Sequence, residues 1–167
     1  MQEAYPTLGK CRGHIHIDAY DRQDFLVHSW DFENLIVQGA CRISAQTLSG
    51  NTDYRISRVA LGNDSAAPTT NDTNIGGIFT EALVLGANTV GEDMVAWVAS
   101  ITGVPEFPDA ATMRVSWNVG YDEANGLSVC ELGLLSENNV LFSRKTRSMV
   151  VKDASIRLAG TWSITFV

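Results

Sequence analysis

The sequence predicts a mainly β chain, an antiparallel β-sandwich or jelly roll with one helix near its N-terminal side. Three observations carry that reading. Beyond residue 55, apolar residues alternate with polar ones in most segments, the period of a strand with one buried face. Gly, Asn, Asp and Pro punctuate these runs at short intervals. Helical spacing appears in one stretch, so the crossover helices of a parallel sheet are not on offer.

The elements follow in order. Residues 1–33 read as an N-terminal arm for assembly or docking. In it His14-Ile15-His16-Ile17-Asp18-Ala19-Tyr20 alternates as a strand, Phe25-Leu26-Val27 is a second short one, and 21–24 is a polar turn. Residues 34–167 read as a single sandwich domain. Its helix covers 34–48, with Ile36, Ala40 and Ile43 on one side, Asp31 or Asn34 as cap and Ser49-Gly50-Asn51 as stop. Trp30 and Phe32 sit where they could staple that helix to the body. A strand over 55–61 places Ile56, Arg58 and Ala60 on one face and Ser57, Val59 and Leu61 on the other. A loop over 62–77 follows, rich in Asn, Asp, Thr and Pro.

Residues 78–85 and 94–102 are further strands, separated by Gly86-Ala87-Asn88-Thr89. Pro105-Glu106-Phe107-Pro108-Asp109 reads as a rigid connector. Met113, Val115, Trp117 and Val119 then face one way in strict alternation. Asp122 to Gly126 is a turn with the Asn-Gly signal of a hairpin. Residues 127–135 and 140–149 pair, and Leu158, Gly160, Trp162, Ile164 and Phe166 close the chain on alternate positions. Trp117, Phe142, Trp162 and Phe166 are the expected core aromatics. The count is about eight strands, in the range of a sandwich or jelly roll.

One register can be stated outright. Closing a hairpin at Ser136-Glu137-Asn138-Asn139 sets Leu135 opposite Val140, Gly133 opposite Phe142 and Glu131 opposite Arg144. Opposed residues share a face, with β-carbons about 5 Å apart. The expectation is a Glu131–Arg144 ion pair on the sheet, structural in role because no second carboxylate or histidine stands beside it in sequence.

Composition narrows the function classes. Charged residues make up 19% of the chain, fewer than is usual, which suits a surface partly covered by other subunits. Twelve Lys and Arg stand against nineteen Asp and Glu, a formal charge of −7. That argues against nucleic acid or an anionic membrane as partner. No apolar run approaches the ~18 residues of a spanning helix. The first residues lack a basic and apolar signal segment, so synthesis in a cytoplasm is expected. The three cysteines, Cys11, Cys41 and Cys130, match no zinc spacing and read as buried thiols. His14, His16 and Asp18 share a strand face, but no third or fourth metal ligand is evident, and a polar strand face is the simpler reading. There is no phosphate-binding glycine loop and no nucleophile elbow. The histidines all lie within residues 14–28, which speaks against a small β hydrolase. No cofactor is expected.

Three ordered groups of segments carry a resemblance. The first is Val59-Ala60-Leu61-Gly62-Asn63 leading to Ala66-Ala67-Pro68-Thr69-Thr70-Asn71-Asp72-Thr73. The second is Glu123-Ala124-Asn125-Gly126, then Glu131-Leu132-Gly133-Leu134-Leu135. The third is Val140-Leu141-Phe142-Ser143-Arg144, then Met149-Val150-Val151-Lys152 and the closing strand from Leu158 to Phe166. In this order they resemble a widespread group of bacteriophage virion proteins, usually tail components. The chain has Gly62-Asn63-Asp64 where many of that group have Gly-Thr-Gly, and the resemblance does not extend to residues 1–33.

The resemblance implies a structural component of a phage particle, in the tail, baseplate or fibre-attachment region, with no enzymatic activity. It implies a homo-oligomer, threefold or sixfold, in contact with other virion proteins. An arm with strand character suits addition to a neighbour's sheet, and His14, His16, Tyr20 and Phe25 are its candidate contact residues. The alternatives are a carbohydrate- or host-receptor-binding module at a fibre tip, using exposed aromatics on a host surface glycan, and a capsid decoration protein.

Overall fold

The computed structural model describes residues 10–76 and 82–167. Its strands are β1 (Cys11–Asp21), β2 (Leu26–Ile36), β3 (Ile56–Gly62), β4 (Gly86–Val90), β5 (Asp93–Asp109), β6 (Thr112–Val119), β7 (Ser128–Ser136), β8 (Leu141–Val151) and β9 (Ile156–Phe166). One helix, α1 (Gly39–Leu48), and a single 3-10 turn (Thr52–Tyr54) lie between β2 and β3.

The chain is mainly β and antiparallel, as its alternation predicts. The expected open sandwich is replaced by a closed barrel. The ladder runs β3-β7-β8-β2-β1-β9-β6-β5, and β5 pairs back onto β3, so eight strands close the ring; β4 is a further strand on β5. Two strands make the corners. β5 pairs with β3 through 96–100 and with β6 from Ile101 onward. β2 lies along β1 over most of its length but meets β8 only at Leu35 and Ile36. The segment expected as a rigid connector, 105–109, is therefore the second half of one long strand. Pro105 and Pro108 are tolerated there because a proline without an N–H fits a strand only where no ladder bond is required of it.

The arm is corrected too. Residues 11–33 do not reach away from the body. β1 is hydrogen-bonded along its length to β2 on one side and to β9 on the other. Ile15, Ile17 and Ala19 are fully buried, so this strand is core. The first nine residues of the expected arm lie outside the described residues.

The helix begins later than expected. Asn34, Leu35 and Ile36 complete β2, and neither Asp31 nor Asn34 caps the helix. Gln38 is the N-cap, with no side-chain capping bond; its side chain instead reaches Asn71 at 2.9 Å and its N–H reaches the Thr70 carbonyl at 2.9 Å. Ala40 and Ile43 bury the inner side as expected. At the far end Asn51 N–H bonds the Gln46 carbonyl and Gly50 N–H bonds the Thr47 carbonyl. With Gly50 at φ 86°, that is a Schellman stop.

Two more expectations change. Of the strand expected at 78–85, residues 78–81 lie outside the described residues and 82–85 are irregular; the strand begins at Gly86, where a turn was expected. The Asn125-Gly126 turn does not close a hairpin. β6 pairs with β5 and β9, and β7 with β3 and β8, so 120–127 crosses from one side of the barrel to the other.

The barrel interior is filled by residues that the alternation predicts: Ile15 and Ile17, Val59 and Leu61, Val115 and Trp117, Leu132 and Leu134, Trp162 and Ile164. Gly160 is required by this packing, because a β-carbon there would run into the Trp117 ring. Phe142 is buried as expected. Phe166 is not: it pairs with Cys11 at the end of the barrel and is 53% exposed. The alternation persists to that residue, but among the described residues no second layer lies opposite it. A second, smaller core sits outside the barrel, where Ile75, Leu83 and Val37 cover Ala60, Val98, Leu135 and Leu141.

Candidate functional site

The outer core is organised by charge. Glu131 on β7 and Arg144 on β8 meet as expected, Arg144 Nε donating to Glu131 Oε1 at 2.6 Å. The register that brings them together is different. Gly133 opposes Arg144 and Glu131 opposes Thr146, so the ion pair is diagonal. Five residues, 136–140, separate the paired Leu135 and Leu141, with Asn139 at φ 64°, and a bulge beyond that pair adds one more. A slip of one residue turns every side chain to the other face, and a slip of two restores it. That is why the contact survives a wrong register.

Arg144 binds three carboxylates. Its Nη1 donates to Asp72 Oδ2 at 2.7 Å and its Nη2 to Asp64 Oδ2 at 3.1 Å. Both acids come from the irregular segment 63–76, which lies over the sheet. Asp72 is itself held by Thr69, through its N–H at 3.0 Å and its hydroxyl at 2.8 Å. Gly76 N–H donates to Glu131 Oε1 at 2.8 Å. Arg144 and Glu131 are 4% and 1% exposed. Burial pushes the Glu131 carboxyl up, and the bonds from Gly76 and Arg144 pull against it without overcoming it. Burial also works to raise Asp72, but the Thr69 N–H and the guanidinium overcome it and hold this carboxyl below its ordinary value. Glu131 Oε2 has no hydrogen-bond partner among the described residues and lies against Gly62, where a β-carbon would strike it.

A second buried cation fixes the crossing segment. Lys152 is fully buried, and its ammonium donates to the Asp153 carbonyl at 2.7 Å, Asn125 Oδ1 at 3.0 Å and the Tyr121 carbonyl at 3.3 Å. Its backbone pairs with Gly126 and Leu127. Desolvation lowers its pKa. The turn of residues 122–126 is thus built around a lysine rather than closed by Asn-Gly alone.

The candidate arm residues lie on the outer face of β1 and at its turn. His16 Nδ1 is 3.0 Å from Asp31 Oδ1 and its Nε2 is 3.2 Å from Asp18 Oδ2; His14 is 3.4 Å from Asp31. Tyr20 donates to Asp18 at 3.2 Å and carries the Arg157 guanidinium over its ring. Phe25 is 68% exposed beside exposed Leu26 and Val27. Among the described residues no group of three or more His, Cys, Asp or Glu side chains is placed to hold a metal. The cysteines are free; Cys11 and Cys130 are half-buried, and Cys41 is exposed where a buried thiol was expected. Trp117 and Trp162 are buried and have no face to offer a sugar, and Trp30 is stacked on His28.

The third feature is an apolar groove of about 810 Å³ at the open end of the barrel, between α1 and β3 on one side and the second half of β5 on the other. Ile43, Ile56, Ile101, Phe142 and Ile164 form its floor, and exposed Leu48, Val104 and Phe166 stand at its rim. Arg55 and Arg58 also line it.

No protein-family model, no curated protein and no solved structure matches this chain. Among the described residues no helix is long and apolar enough to cross a membrane. Sequence reasoning found Glu131 and Arg144 but missed Asp64, Asp72 and Lys152 as their equals. The available signal was sparse charge: in a chain with few charged residues, acids inside an apolar-flanked loop have something to neutralise.

Proposed function

We propose that the chain is a structural component of a bacteriophage virion, in the tail, baseplate or fibre-attachment region, working by self-assembly and contact with other virion proteins and not by catalysis. The observation that carries this reading is convergence. The segments behind the resemblance are far apart in sequence, and each supplies one partner of a single buried centre: Asp72 from the first, Glu131 from the second, Arg144 from the third. The same is true of Lys152, which joins the third group to Asn125 of the second. Buried charges of this kind tie the covering loop to the sheet, because removing one partner leaves another charge buried without its counter-charge. Exposed apolar side chains at Phe25 and Leu26, and again at Val104 and Phe107, support contact with other chains.

The test is immuno-electron microscopy. An antiserum against the full chain should decorate phage particles from the source strain, at the tail or baseplate. Antigen that stays in the particle-free fraction, with every particle unlabelled, would end the reading.

A further inference from the structure

We propose that the groove at the open end of the barrel receives the tip of the β5–β6 hairpin from a second copy of this chain; the inference rests on the self-assembly part of the preceding reading.

The groove is an opening of the barrel core itself. Its floor residues Ile43, Phe142 and Ile164 belong to the inner cluster, with Ile56 and Ile101 packed against it, and β5 leaves β3 after Ser100 so that no strand among the described residues covers them. The hairpin offers a matching knob. Phe107 is 73% exposed and does not line its own molecule's groove. Pro105 and Pro108 flank it, so its backbone is stiff before any contact is made. They also decide the mode of contact. An edge strand with two prolines cannot give a continuous row of N–H donors, which disfavours strand addition along β5 and leaves side-chain insertion.

Charge points to the same occupant. Glu106 and Asp109 stand on either side of Phe107 in the exposed part of the hairpin, and the cation opposite Glu106, Arg114 on β6, donates to Ser163 at 3.2 Å. The groove carries Arg55 and Arg58. Glu137 also lines the groove; it answers Arg55 at 3.1 Å and feels the charge of Arg58, which donates to neutral Asn139 at 2.9 Å, so two cations share one carboxylate there. A hairpin with an excess of acid and an exposed aromatic, and an apolar groove with an excess of base, are complementary, and one molecule carries both, which is the requirement for assembly from a single kind of chain.

Light scattering on the full chain tests this with Phe107→Asp, Arg58→Glu, Glu106→Arg and the double change Arg58→Glu with Glu106→Arg. Thermal melting checks that each is folded; Phe107 and Glu106 are exposed, so their variants stay informative if Arg58→Glu fails to fold. Wild-type chain should assemble. Phe107→Asp and each single charge reversal should weaken assembly at least tenfold, and the double reversal should restore it. If folded Phe107→Asp and Glu106→Arg chains assemble as the wild type does, the knob-and-groove contact is wrong while self-assembly stands. A wild-type chain that stays monomeric at every concentration overturns the contact as well; the virion assignment then rests on particle labelling alone.

Discussion

Trp162 and Arg144 are both buried, yet they hold the chain in different ways. Trp162 fills the barrel interior, paired with Ile15 on β1 and Val115 on β6, and nothing but shape and apolar area recommends the fit. Arg144 lies on the outer face under a segment with no regular structure, and its neighbours are three carboxylates. Removing an interior side chain takes stability from everything around it. Removing the guanidinium leaves acids buried without a counter-charge; Glu131 on β7 can take up a proton, and Asp64 and Asp72 are relieved when 63–76 lifts. The interior therefore sets whether the barrel forms, and the charge centre sets where its covering segment sits.

The largest effect is expected inside. Trp162→Ala should cost about 3–5 kcal/mol, as large aromatic truncations do. Urea denaturation should show the loss, with hydrogen exchange accelerated across the whole barrel. Arg144→Ala should cost a comparable 3–5 kcal/mol, because one partner of a buried network is gone. Its pattern should differ: limited proteolysis should open first within 63–76 while the barrel strands stay protected. Equal exchange patterns in the two variants would mean that the interior and the charge centre hold the chain in the same way.

Lys152→Met should come next, at about 1–3 kcal/mol, the cost of leaving buried acceptors unmet. Three oxygens lose the ammonium; the Asp153 carbonyl and Asn125 Oδ1 lose the bond it gave them, while the Tyr121 carbonyl keeps Asn125 Nδ2 at 3.1 Å. The loss should appear as increased exchange in 120–127, read by mass spectrometry. Unchanged protection there would mean that the backbone bonds of Lys152, and not its ammonium, hold the crossing segment.

The two regions also differ in how legible they are. The interior followed from period-two spacing, because residues such as Val115, Trp117 and Val119 must face one way if their strand is half-buried. Barrel closure did not follow, since the bend of β5 past Ile101 depends on which strands lie beside it. The charge centre was half legible. Glu131 and Arg144 share a face in any hairpin that keeps parity, so their contact was available. Asp64 and Asp72 were not, because a loop has no period to read and its approach to Arg144 is a long-range event. Phe166 shows the converse: a flawless alternation says nothing about whether a layer exists to bury the last residue.

The charge centre can be sharpened by pH. Glu131 is raised in the fold, so what its neutral form contributes is present below the unfolded value of about 4.3 and is lost as pH rises through the folded value. Asp72 is lowered, so its contribution is present above about 3.9 and is lost as pH falls through its folded value. Glu131→Gln removes the first without touching the second. The variant should therefore gain on the wild type as pH rises from about 4, by less than the Arg144→Ala loss. Denaturation at several pH values would show it, and a constant gap would mean that Glu131 titrates no differently in the barrel than outside it.

The smallest effect belongs to the exposed counterpart of Arg144. His16 also sits between carboxylates, but on the solvent side of β1. The hydrogen bond to Asp31 leads in raising its pKa, with Asp18 adding to it and desolvation opposing. A raised histidine contributes stability that is fully present below the unfolded value of about 6.5 and is lost as pH rises through the folded value. Its side chain is 39% exposed, so solvent and salt screen the pair, and exposed ion pairs contribute at most about 1 kcal/mol. His16→Asn should therefore lower the melting temperature slightly at pH 6 and leave it unchanged at pH 9, with the difference shrinking in high salt. A loss that persists at pH 9 would show that the imidazole matters for its packing on the sheet and not for its charge. The same ionic contact would then count for little on the surface while Arg144 counts for much beneath a loop, a difference made by water and not by the distance between the atoms.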